Sequence, residues 1–197
     1  MTETETKTSN LLSRLPDLQE CKTPPFDSSL NAEEVQIVLQ GGKVPPIDAN
    51  LTAELVQTLL QGGKQSIVGL IDALREVDNG ADWKARLLLQ ALTMAVGTPE
   101  QAVQRQMLAD VLLDEATGTR PSAVRIFLLA RLRLIADKDA VKKLIPLFTA
   151  ADPQLAEAAA TVLVSIGQPS KEPLAEALKA AQGRSKEVIE YALAQIH

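Results

Sequence analysis

The chain has 197 residues, with 20 Lys and Arg against 25 Asp and Glu and a net charge of −5. Hydrophobic residues make up 46% of it, enough for a buried core, so global disorder is excluded. With a single His (His197) and a single Cys (Cys21), the sequence cannot assemble a His/Cys zinc site or an internal disulfide, and it has no imidazole placed to serve a catalytic nucleophile. No catalytic, cofactor-binding or metal-ligating residue is therefore assigned, and the chain is read as not an enzyme.

Residues 1–10 are polar and acidic, unlike a secretory leader. No run approaches the roughly 18 apolar residues of a membrane span; the longest candidate, 126–136, is interrupted by Arg131 and Arg133. A soluble, cytoplasmic protein is expected, with export after loss of a signal segment as the alternative.

Residues 1–30 carry Pro16, Pro24 and Pro25 and one apolar cluster, Leu11, Leu12 and Leu15. They read as a flexible N-terminal tail, or one partly docked through that cluster. From residue 31 to 197 helix-length apolar patterns follow one another without strand-like alternation. The fold class is all-α. The predicted helices span 31–40, 52–61, 64–77, 82–96, 99–116, 121–136, 138–149, 153–166, 170–181 and 185–196. Starts are marked by Asn31 with Glu34, by Thr98-Pro99-Glu100, by Asp152-Pro153 and by Ser185-Lys186-Glu187. Stops fall at Gly41-Gly42, Gly62-Gly63, Gly97, Gly118, Gly167 and Gly183. Asn50-Leu51-Thr52 matches a glycosylation sequon but also stands where the 52–61 helix needs its cap.

The sequence repeats itself. Ala32-Glu33-Glu34-Val35-Gln36 through Gln40-Gly41-Gly42-Lys43 recurs as Ala53-Glu54-Leu55-Val56-Gln57 through Gln61-Gly62-Gly63-Lys64. A weaker repeat carries Val124, Phe127, Leu128, Leu132 and Ile135 onto Leu155, Ala158, Ala159, Leu163 and Ile166. The last four of these map in turn onto Val188, Ile189, Leu193 and Ile196. Two helices per period of roughly 30–40 residues mark a stacked α-solenoid. The 121–136 helix is apolar almost all round, as a helix covered on several sides must be.

Ser122-Ala123-Val124-Arg125, Leu132 and Ile135, then Lys138-Asp139-Ala140-Val141, then Asp152, Ala158-Ala159-Ala160, Leu163 and Ile166-Gly167 resemble HEAT repeats. The segment Leu60-Gln61-Gly62-Gly63-Lys64, followed by Asp82-Trp83-Lys84-Ala85-Arg86, is similar to an uncharacterised bacterial group of HEAT-repeat proteins. The likeness covers about residues 50–197. It implies an armadillo-type α-solenoid over 31–197, built of about five stacked antiparallel hairpins whose second helices line a concave face. Gln154-Leu155-Ala156 departs from the repeat, lacking its usual basic residue. Di-iron hydroxylases of HEAT type need paired His-Glu motifs, which this chain lacks.

Several motifs have a plain structural reading. Gly41-Gly42-Lys43 and Gly62-Gly63-Lys64 end helices, and Val44 and Gln65 stand where a phosphate loop needs its hydroxyl. Asp110 and Asp114 share a helix face beside Glu115 and are expected to meet water or a neighbouring base. Residues 120–143 hold seven basic side chains against two acids. They could form a patch for an acidic partner, or serve structure, with Arg125 pairing to Asp82 or Asp152. Trp83 reads as a core residue packed on the preceding hairpin, with an interface anchor as the alternative, and Cys21 as an incidental thiol, with a reactive one beside Lys22 as the alternative.

The expected function is a non-catalytic protein- or peptide-binding scaffold or adaptor. Gln101, Gln104, Arg105, Lys142, Lys143, Glu176 and Lys179 are the candidate binding-face residues. A protein or peptide partner is expected; nucleic acid and membrane are not. The alternative is a regulatory or lyase-type subunit of an enzyme complex. The last helix, 185–196, predicts either a homodimer or coverage of its outer side by the tail.

Overall fold

The computed structural model describes residues 10–15, 49–75, 82–149 and 152–196. The predicted helix 31–40, with its copy of the repeat, Cys21 and most of the 1–30 tail lie outside the described residues. Every regular element among the described residues is helical. The chain divides into two compact units, Met1–Leu108 and Ala109–His197.

In the first unit, α1 (Ala49–Gln61) packs against α2 (Gly63–Asp72) and α3 (Trp83–Ala95), and α2 against α3. Their buried residues follow helical spacing: Leu55, Val56 and Leu59; Ile67, Leu70 and Ile71; Leu88, Leu89 and Leu92. Gly62-Gly63 marks the α1–α2 junction, and Gly63 takes φ +66°, which a side chain would resist. This is a helix–helix corner, with no strand entering it. Because α1 begins at Ala49, Asn50 sits inside the first turn and is not its cap. Trp83 is buried at the start of α3. Residues 10–15 lie on the same unit: Leu15 is buried, Lys84 Nζ donates to the Leu15 carbonyl at 2.8 Å, and Arg14 Nη2 reaches both Glu54 carboxylate oxygens at 3.0 Å.

Helix α4 (Ala102–Thr117), preceded by a 3-10 turn at Pro99–Gln101, contains the division between the units. Thr98 makes no side-chain cap there. In the second unit, α5 (Ser122–Leu132) buries Val124, Phe127, Leu128, Leu129 and Leu132. The predicted 138–149 helix is broken into three: a 3-10 turn at Lys138–Ala140, a short α6 (Val141–Leu144) and a 3-10 stretch at Ile145–Thr149. Pro146 explains the break after Leu144, since its ring clashes with the preceding turn and it brings no N–H.

Next, α7 (Pro153–Ile166) opens with Asp152 Oδ1 accepting from Gln154 N at 2.9 Å, as Asp152-Pro153 predicts. After a 3-10 turn at Gln168–Ser170 come α8 (Lys171–Ala180) and α9 (Gly183–Gln195). Ser185 does not open α9. It lies inside the first turn, and its hydroxyl donates to the Phe148 carbonyl at 2.5 Å.

Packing in this unit follows the weaker repeat. Helix α7 lies between α5 and α9, while 145–149 and α8 meet each other and back onto α7 and α9 respectively. Repeat-equivalent residues Leu128, Ala159 and Ile189 are all buried. No helix among the described residues is long and apolar enough to cross a membrane.

Candidate functional site

The second unit carries an open groove of about 830 Å³ along α7 and α9, closed on one side by Arg133 and Leu134 just past α5. Ala160, Val164 and Val188 give it apolar walls, and Thr161, Ser165 and Gln195 add short polar groups. Two large apolar side chains stand at its edge in water: Leu134, just past α5, is 56% exposed, and Tyr191 of α9 is 66% exposed. An apolar hollow with an aromatic at its edge has the chemistry of a docking site.

Charge is placed unevenly along the groove. Arg184, in the first turn of α9, donates to Glu157 of α7 at 2.7 Å and to Glu187 at 3.0 Å. These bonds, to Glu157 first and then Glu187, raise the Arg184 pKa above its ordinary value. The Glu157 bond also joins the N-terminal parts of α7 and α9, so the two helices run in the same direction. Residues 138–149 return along α7 and deliver the chain to its N-terminus, so α5 runs the same way. Arg133, past the C-terminal end of α5, therefore lies at the other end of the groove, where it is exposed. One end holds two carboxylates and one guanidinium; the other holds Arg133.

The seven binding-face candidates do not line this groove. Gln101, Gln104 and Arg105 are half-buried in the first unit. Lys142, Lys143, Glu176 and Lys179 are exposed in the second. Two of those four pair with each other, Lys179 Nζ donating to Glu176 Oε2. Lys143 Nζ donates to Asp114 Oδ1 at 2.5 Å, and that hydrogen bond, with the Asp114 and Asp110 charges behind it, raises the Lys143 pKa. The Asp110–Asp114 face thus meets a base, as its position on the helix predicts.

The basic region 120–143 is dispersed. Arg120 pairs with Glu115 at 2.6 Å. Arg125 Nε donates to the Ala116 carbonyl at 2.7 Å, so the pairing expected with Asp82 or Asp152 is replaced by a bond to the end of α4. Asp82 belongs instead to Arg86 and Asp152 to its own helix start. Arg131 is buried with its guanidinium carbon 5.3 Å from the Phe127 ring centroid. Burial first, and then the neighbouring Arg133, lowers its pKa. Among the described residues no group of three or more His, Cys, Asp or Glu is placed to hold a metal ion.

The groove draws on residues some 60 positions apart, and its signal in the sequence is indirect. The 121–136 segment is apolar on nearly every side, and Leu134 is where that coat runs past the neighbours that cover it. Tyr191 reads as one more member of an apolar pattern whose other residues are covered, Val188, Ile189 and Ile196 buried and Leu193 half-buried. No family model matches the chain, and searches of curated proteins and of solved structures found no match either.

Proposed function

We propose that this chain is a non-catalytic scaffold that binds a protein or peptide, built as a HEAT-like α-solenoid of about five hairpins and akin to the uncharacterised bacterial HEAT-repeat group. The observation that carries the docking role is the groove itself, with Leu134 and Tyr191 held in water beside an apolar hollow. The helices α5, α7 and α9, related by the 30–31-residue repeat, pack side by side in chain order, and α7 and α9 line the groove, which supports the solenoid reading. In that architecture each helix pair hides its apolar side on the next, and the exposed side chains are left to choose a partner. A cytoplasmic location fits the single cysteine.

Selection from a displayed peptide library tests the role. Ser165 is exposed on α7 within the groove, so Ser165→Trp fills the hollow without entering the core. Peptides that bind the wild-type chain and lose at least about tenfold in affinity to Ser165→Trp, at unchanged melting temperature, are expected. Peptides indifferent to that substitution, or a selection that yields none, would overturn the groove as the docking surface.

A further inference from the structure

We infer that the groove's occupant is a second copy of this chain, docked about a two-fold axis; this rests on the groove being a docking surface. Three observations point to self-complementarity. First, knob and hole are neighbours: Tyr191 projects from α9 at the edge of the hollow walled by Ala160, Val164 and Val188. A two-fold axis across the groove sets each copy's Tyr191 and Leu134 into the other's hollow, and both are buried by the same event. Second, the lining has both signs of charge in balance, Arg133 and Arg184 against Glu157 and Glu187, within a chain of net charge −5. Two copies can approach here without the repulsion their net charges impose elsewhere.

Third, the charges are ordered along the groove. The Arg133 end and the Glu157–Arg184–Glu187 end lie at opposite ends of parallel helices. A two-fold axis perpendicular to those helices reverses one copy on the other, so each Arg133 faces the partner's acidic end and the contact is made twice across the dimer. A unidirectional, head-to-head contact would set like ends together and is disfavoured. The groove is smaller than the roughly 20–30 residues a side of a standard stable interface. The dimer is accordingly a reversible one that forms as concentration rises.

Sedimentation equilibrium of the full chain, from low micromolar to near-millimolar concentration, tests this. The expected result is a mass rising from one copy towards two. Tyr191→Glu and Ser165→Trp, both at exposed positions, each hold it at one copy with the melting temperature of the monomer unchanged. Arg133→Glu and Glu187→Arg each weaken self-association by at least about tenfold. Mixed in equal amounts, those two variants associate with each other better than either does with itself, since the mixed pair has one native and one inverted attractive contact. Monomers at every concentration overturn the proposal. If such a monomer still binds selected peptides through the groove, the docking role stands with a different occupant; if it binds none, both readings fall. A dimer indifferent to Tyr191→Glu and Ser165→Trp also overturns it, since association then uses another surface.

Discussion

Arg86 Nε donates to Asp82 Oδ2 at 3.0 Å, with both side chains almost wholly removed from water. Asp82 precedes α3 yet makes no cap bond to it. Its Oδ2 also accepts from Arg75 N at 2.9 Å, tying the exit of α2 to the entry of α3. A buried pair of this kind is a weak source of net stability, but breaking it on one side strands a charge. Asp82→Ala is expected to destabilise the first unit by about 3–5 kcal/mol. Asp82→Ala with Arg86→Met should recover much of the loss, because no charge is then left buried. Urea denaturation of the three proteins checks this, and a single variant as stable as wild type would refute it.

Trp83 is the chain's one tryptophan and is 4% exposed. Its emission should lie to the blue of tryptophan in water, resist acrylamide quenching, and shift red as the first unit unfolds. Trp83→Ala removes a large buried side chain, with an expected loss of about 3–5 kcal/mol. An emission maximum at the solvent-exposed position in the native protein would contradict the packing described.

How much of this was legible from residue order differs by element. The start of α7 was, because Asp152-Pro153 carries a local device whose chemistry needs nothing from elsewhere. The apolar spacing of α5, α7 and α9 was also legible, since burial on one side leaves a periodic mark. The 138–149 segment reads as a single helix because its apolar residues keep the period, while Pro146 breaks the backbone after Leu144. For Arg125 the sequence offers a carboxylate partner as one of two readings, yet the side chain bonds the Ala116 carbonyl at the end of α4, and helix ends leave four such acceptors. The groove was legible only indirectly. Its edges come from Leu134 and Tyr191, and nothing local tells a core leucine or tyrosine from one that outruns its cover.

Two helix starts that look alike in sequence should respond differently to the same substitution. Asp152 holds Gln154 N at 2.9 Å, whereas Thr98 makes no side-chain cap although Pro99 follows it just as Pro153 follows Asp152. Asp152→Ala is expected to lower stability by about 1 kcal/mol, and Thr98→Ala by no more than about 0.5 kcal/mol. Thermal denaturation of both variants decides it; equal losses would mean that Thr98 caps its helix in solution.

Gly167 ends α7 at φ 80°, ψ −137°, and a Cβ built on it would meet nothing within 4 Å. Space is therefore not what excludes a side chain here. The torsions are: this conformation mirrors the extended region that L-residues prefer, and it lies in territory held almost entirely by glycine. The turn cannot relax to a common conformation without moving the Gln168–Ser170 turn, whose Ser170 N–H bonds the Gly167 carbonyl at 2.9 Å and whose Ser170 is fully buried. Gly167→Ala should thus lower stability by about 1–3 kcal/mol through backbone strain alone. The measurement is equilibrium denaturation with helix content followed by circular dichroism. An alanine variant as stable as wild type would mean that the α7–α8 corner adopts a different backbone path, and with it a different seat for α8 against α9.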